Sequence, residues 1–157
     1  MTIKYKIATL CFLLKEGEIL LAMKKRGFGA GKWNGVGGKV GENESVEEAA
    51  LREVEEEINV RGNIEDLNSM GVLQFRSENP GLNWDCHIFS LKLWSGEPTE
   101  SEEMSPQWFS KDQIPFGLMW VDDKLWLPYL LAGKPINANF KFDTEGKKVL
   151  DFEIKEI

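Results

Sequence analysis

The stretch from Gly37 to Asn59 constrains this chain more than any other. Two adjacent glycines, Gly37 and Gly38, lead through a polar turn into a helix whose two ends are written in the sequence. Ser45-Val46-Glu47-Glu48 is a capping box. Its serine hydroxyl satisfies an orphan amide at N3, and the N3 glutamate reaches back to the cap. Ala49, Ala50, Leu51 and Arg52 are strong helix formers, and Asn59 suits a left-handed terminator, so the spacing predicts a helix over 45–58. A 3.6-residue period puts Glu53, Glu56 and Glu57 within an arc of about 100°, beside an apolar stripe of Leu51, Val54 and Ile58. Glu48 and Glu55 fall on the far side. Three like charges so spaced repel each other, and a divalent cation would remove that penalty. The helix alone leaves a second reading open, a solvated acidic face.

Charge sharpens this picture. Residues 42–57 hold eight glutamates and one arginine, which is the whole net charge of −7. The remainder is neutral. A nucleic-acid binder would show a basic footprint, so no stable nucleic-acid binding is expected. Clustered carboxylates suit hard cations such as Mg²⁺ or Mn²⁺. At 157 residues, with 42% apolar and 11% aromatic side chains, the chain reads as one globular domain over 1–157. The start, Met1-Thr2-Ile3-Lys4-Tyr5-Lys6, is unlike a cleavable signal, and the apolar run Ile7 to Leu14 is too short to span a bilayer. Cys11 and Cys86 lack metal-ligand spacing and read as buried free thiols, which suits a reducing cytoplasm. A monomer is the default state.

Strands are expected at Ile7 to Leu14, Ile19 to Met23, Met70 to Phe75, Asp85 to Trp94 and Gln107 to Ser110. A closing hairpin is expected at Phe140 to Phe142 and Val149 to Ile154. Gly27 to Gly41 reads as an irregular loop, and Asp122 to Ala132 as a second helix interrupted by Pro128. Strands outnumber helices, which points to an α/β class with a mixed sheet flanked by helices.

Read together, Gly38, Glu44, Arg52, Glu53, Val54, Glu56, Glu57 and Val60 fit the Nudix box at fixed spacing over 23 residues, with Asn59 in place of its second glycine. The chain resembles the Nudix hydrolases, and among them the branch that hydrolyses oxidised purine nucleoside triphosphates. Met23 to Val40, Pro115-Phe116, Met119 to Asp123 and Phe140-Lys141-Phe142 carry that closer likeness over nearly the whole chain. The resemblance implies a Nudix α/β/α sandwich. It also implies hydrolysis of a triphosphate such as 8-oxo-dGTP to monophosphate plus pyrophosphate, which would sanitise the nucleotide pool. It assigns metal binding to Glu53, Glu56 and Glu57, with the Gly37 carbonyl and Glu103 completing the set. These three box glutamates are also the catalytic set, with Glu53 assisting deprotonation of water. Arg52 and Glu44 would pair to hold the loop. Lys24 and Lys39 are phosphate candidates, and Thr9, Gly37 and Gly38 are further substrate contacts.

The resemblance gives the base to Asp122 and Asp123, with Asn34 as a third polar contact and Phe28, Phe75, Met104 and Trp120 as apolar walls. Two neighbouring buried carboxyls cannot both ionise cheaply, so one can keep a proton and donate to a purine O6. An ordinary helix cap for Asp122, and core packing for the aromatics, is the plain alternative. Gly27-x-Gly29-x-Gly31-Lys32 is no Walker A loop, because Trp33 stands where Ser or Thr must be, and the lone His87 reads as packed. Two rivals stand beside the main reading. One is a Nudix hydrolase of another nucleoside diphosphate derivative, against which Asp122, Asp123 and Asn34 argue. The other is a non-catalytic nucleotide-binding module, against which the intact glutamates argue.

Overall fold

A computed structural model describes residues 5–157; Met1 to Lys4, part of the start considered above, lie outside the described residues. The elements run β1 (Lys6–Lys15), β2 (Glu18–Lys24), β3 (Trp33–Asn34), β4 (Val36–Lys39), α1 (Val46–Ile58), β5 (Leu67–Arg76), β6 (Trp84–Leu91), β7 (Met104–Ser110), α2 (Asp123–Leu131), β8 (Ile136–Phe142) and β9 (Val149–Glu156). The sheet is mixed, in the order β3-β2-β1-β6-β5-β8-β9, with β4 also on β1 and β7 also on β2. The β1–β6 and β5–β8 pairs are parallel; the others are antiparallel.

Strand β1 explains the layering. Its apolar run has no polar face to give to water, so both faces must be covered. Cys11 and Leu13 pack with Val54 and Ile58 of α1, whereas Phe12 and Leu14 pack with Trp126, Leu127 and Leu130 of α2. One helix therefore lies on each side of the sheet, an α/β/α sandwich. Phe12 meets Trp126 edge-on, with ring centroids 5.8 Å apart.

Helix α1 forms as its caps dictate. Ser45 accepts from the Glu48 amide, and the Glu48 side chain accepts from the Ser45 amide, in a complete capping box. A cap of this kind contributes about 1 kcal/mol. Asn59 ends the helix at φ 60, ψ 34, so asparagine serves where the box has glycine.

Three expectations need correcting. Gly27 to Gly41 is not loop throughout: β3 and β4 form within it, because β2 and β1 offer free edges to pair. Strand β6 stops at Leu91; Trp94 instead stacks on Trp108 at 5.9 Å, and Ser95 bridges Arg61. Strand β7 begins at Met104 and runs through Pro106, which is tolerated because β7 pairs only with β2. Pro128 sits inside α2, and the carbonyl it leaves without an amide belongs to exposed Lys124.

Candidate active site

The loop before α1 is held by one guanidinium. Arg52 donates to both Glu44 oxygens, at 2.7 and 3.0 Å, to the Lys39 carbonyl at 3.1 Å, to Glu53 at 3.0 Å and to Glu56 at 3.1 Å. Hydrogen bonds from Arg52, and next from the Gly41 amide, hold the Glu44 carboxyl down at about 2. Arg52 and Glu44 thus pair as the resemblance implied, and the fork fixes the loop to the helix.

The glycines answer to sterics. Strand β4 lies so close to β1 that a Cβ on Gly37 would stand 1.8 Å from the Thr9 carbonyl oxygen. A Cβ on Gly38 would stand 2.6 Å from Glu53 Oε1. Gly38 pairs with Thr9 in register, so Thr9, Gly38 and the Glu53 carboxylate share one corner on the α1 side.

Glu53 and Glu57 crowd that corner. The Glu53 side chain is only 13% exposed. Glu57 Oε2 is buried without a hydrogen-bond partner. Burial first, then the charge and side chain of Glu53, push the Glu57 carboxyl up to about 8, against the pull of the Gly37 amide and the Lys24 ammonium. Glu56 points outward, with 58% of its side chain exposed.

The second locus is at the start of α2. Asp122 and Asp123 are each 3% exposed. Asp122 occupies the cap position but makes no side-chain cap bond. Its Oδ2 accepts from Trp126 Nε1 at 2.8 Å, so the plain helix-cap reading does not describe it. Asp123 Oδ2 is buried without a partner. The carboxyls contact each other, and burial raises both; for Asp123 the Asp122 charge adds to the rise. Beside them, the rings of Trp120 and Phe28 lie 5.2 Å apart, and Phe28 is 68% exposed. A Cβ on Gly29 would come within 3.2 Å of Trp120. Phe75 packs on Phe140 and Phe142.

Several residues singled out by sequence stand elsewhere. Glu103 is 47% exposed and tied to Arg26, which draws its carboxyl down, so it does not join Glu53 and Glu57. Among the described residues no three or more His, Cys, Asp or Glu side chains converge as a ready cation cage. Lys39 holds its ammonium 5.9 Å from the Trp84 ring centre, away from the glutamates. Met104 is buried in the core cluster that packs against α1. Asn34 accepts from the Gly35 amide at 2.8 Å. Sequence reasoning passed over Lys32, whose ammonium lies 5.3 Å from the Trp120 ring centre. Its place after the alternating glycines Gly27, Gly29 and Gly31 was the available signal.

Among the described residues, the buried side-chain polar atoms without a partner are Thr9 Oγ1, Glu57 Oε2 and Asp123 Oδ2. Buried polar groups are almost always satisfied, so three such atoms, all at positions the sequence had singled out, make these corners the candidate binding places. The NUDIX domain model matches residues 4–130. This chain belongs to the Nudix family. It is 44% identical over 152 residues to the mouse oxidized purine nucleoside triphosphate hydrolase, covering 97% of this chain and 96% of the mouse protein. It is 47% identical over 137 residues to the zebrafish protein of the same name, covering 87% and 86%. Among solved structures, a MutT protein from Bacillus halodurans superposes with a TM-score of 0.81 at 23% identity, over 96% of this chain and 97% of that one. That likeness bears on the fold: the mixed sheet between two helices is a Nudix fold. Nudix hydrolases generally use divalent metal ions. No helix among the described residues is long and apolar enough to cross a membrane.

Proposed function

We propose that this chain hydrolyses oxidised purine nucleoside triphosphates, such as 8-oxo-dGTP, to monophosphate and pyrophosphate with Mg²⁺ or Mn²⁺. The observation that carries this is the pairing of two different unsatisfied carboxyls, Glu57 at the α1 corner and Asp123 at the start of α2. The mouse and zebrafish relatives, by name, act on oxidised purine triphosphates, and their likeness supports the same substrate class here.

The α1 corner fits a hard cation. Its donors are carboxylate oxygens, one of them buried and unpartnered, and the Glu53–Glu57 repulsion is what a divalent charge would relieve. Glu53, Glu57 and the Gly37 carbonyl would hold the metal, with Glu56 one turn outward. When bound, such an ion neutralises phosphate oxygens and lowers the pKa of bound water. Glu53 would take a proton from the attacking water, and Lys24, near enough to act on Glu57, would face the phosphates. Glu103 would join only by leaving Arg26.

At the other end, the Asp pair reads the base. With its raised carboxyl protonated, Asp123 donates through an O–H to the purine O6, while Asp122, held by Trp126, accepts from ring N–H groups. Phe28 and Trp120 supply stacking surface. Both helices pack on the shared strand β1, which supports reading residues 1–157 as one Nudix unit. The free, buried Cys11 and Cys86 support a cytoplasmic setting, and we take the chain as a monomer.

Pyrophosphate release from 8-oxo-dGTP and from dGTP, each with and without Mg²⁺, tests this reading. Metal-dependent release with a strong preference for 8-oxo-dGTP is expected. Metal-dependent release without that preference would keep Nudix chemistry and remove the oxidised-purine assignment.

A further inference from the structure

One row of side chains crosses five strands on the α2 side of the sheet. In register outward from β1, Lys6 lies beside Trp84, Trp84 beside Phe75, Phe75 beside Phe140, and Phe140 beside Phe152. Residues paired in register project to the same face. Cys86 follows Trp84 by two positions and so shares that face, about 7 Å along the strand. The Cys86 thiol is pushed up by burial and then by the Asp122 and Asp123 carboxyls, which lie within electrostatic reach of it. Trp84 therefore stands directly beside Phe75 and one strand repeat from Cys86, on the face that the Asp pair approaches.

The indole is held rather than loose. Its Nε1 donates to the Gly81 carbonyl at 3.1 Å. The Lys6 and Lys39 ammonium groups lie 5.1 and 5.9 Å from its ring centre. Arg76 fixes the backbone on which both aromatics ride. It donates to the Phe75 carbonyl at 2.8 Å, to the Trp84 carbonyl at 3.1 Å and to Asp85 Oδ1 at 2.7 Å, and its guanidinium stacks 3.7 Å from the Tyr5 ring centre.

We propose that Trp84 is a further wall of the base pocket and that Arg76 is the positioning residue that holds it beside Phe75. This rests on the reading that Asp122 and Asp123 bind a purine. Stacking is tolerant of which purine is present, so Trp84 supplies affinity for a two-ring base and leaves the reading of its oxidation to the Asp pair. A pyrimidine, one ring shorter, does not reach it.

The test is steady-state hydrolysis of 8-oxo-dGTP, dGTP and dCTP by the full chain with Mg²⁺, comparing wild type, Trp84→Ala, Trp84→Phe, Arg76→Met and the Trp84→Ala/Arg76→Met double variant. Trp84→Ala is expected to raise KM for both purines about tenfold and to move KM for dCTP far less. Trp84→Phe restores most of the loss. Arg76→Met raises purine KM by a smaller factor and adds nothing once Trp84 is gone, because it acts through that ring. Trp84→Leu, apolar and bulky but without a π face, gives the same loss as alanine and serves if the alanine variant does not fold. Unchanged purine KM in Trp84→Ala or Trp84→Leu would overturn the proposal, as would losses from Trp84 and Arg76 that simply multiply. A wild-type enzyme with no purine preference would instead sink the base-pocket reading itself. Full purine preference kept in the Trp84 variants would sink only the role of Trp84.

Discussion

Two carboxylate pairs lie on opposite sides of β1 and meet one electrostatic problem in different ways. Glu53 and Glu57 crowd a corner with the Lys24 ammonium close enough to pull on Glu57 and a backbone amide opposing its rise. Asp122 and Asp123 are more deeply buried, touch each other, and among the described residues have the Trp126 indole N–H but no ammonium beside them to offset the cost of burial. On the proposed function the first pair would meet a metal charge, which would return both groups to their ionised state. On the same reading the second would keep a proton, which would let one member donate. The difference teaches that a raised carboxyl is not one kind of functional signal: what surrounds it decides whether a cation or a hydrogen answers it.

The sharpest way to break this contrast is Glu57→Gln. Pyrophosphate release is expected to fall by more than about a hundredfold, because an amide is a poor ligand for a hard cation. The fold should persist, since the amide places no unpaired charge in the corner. Wild-type release from this variant would end the cation reading of the first pair.

Changing the second pair should produce a loss of another kind. Asp123→Ala is expected to raise KM for 8-oxo-dGTP by about tenfold to a hundredfold, by leaving polar groups of the base unpaired. Hydrolysis of a pyrimidine triphosphate should change far less. Equal losses on both substrates would erase the distinction between the two pairs. Arg52→Ala acts on the first pair from outside. It frees Glu44, Glu53 and the Lys39 carbonyl together. Supporting contacts of this sort are worth roughly tenfold in metal affinity. A Mg²⁺ titration of activity should shift accordingly, with a smaller effect at saturating metal; an unmoved titration would show that the loop holds itself.

The two loci were not equally legible. Glycine, cap, arginine and glutamates of the first sit within 23 contiguous residues, where helical period and local sterics settle geometry. Arg52 found Glu44 because both lie on one loop and helix. The second locus draws on β1, β5, β6, the loop before β3 and the start of α2, so its geometry waits on strand register. Register is why Met104 turned into the α1-side core, and why Trp84, unremarked in the sequence, came to lie beside Phe75. Long charged side chains were the least legible. Glu103 went to Arg26 and Lys39 to Trp84, choices between competing partners that no spacing rule decides.

The smallest effect concerns stability and separates the pairs by sign. Asp122 and Asp123 titrate upward of the ordinary aspartate value in the folded chain. Above about pH 4 the unfolded chain releases these protons while the native pair keeps them. The native state then binds more protons, so stability falls as pH rises through the raised folded value. The pair's contribution is fully present below about pH 4 and lost above that window. Asp123→Asn removes the titrating group yet keeps a donor for Asp122. Its melting temperature, followed from pH 4 to pH 8, should therefore fall less steeply than that of wild type, so that the variant gains on wild type toward neutral pH. Glu44, with its lowered carboxyl, and Glu57, with its raised one, are present in both proteins and cancel in the comparison. A wild type that gains stability over Asp123→Asn as pH rises would mean that the second pair, too, is held as charges, and the contrast with the first would collapse.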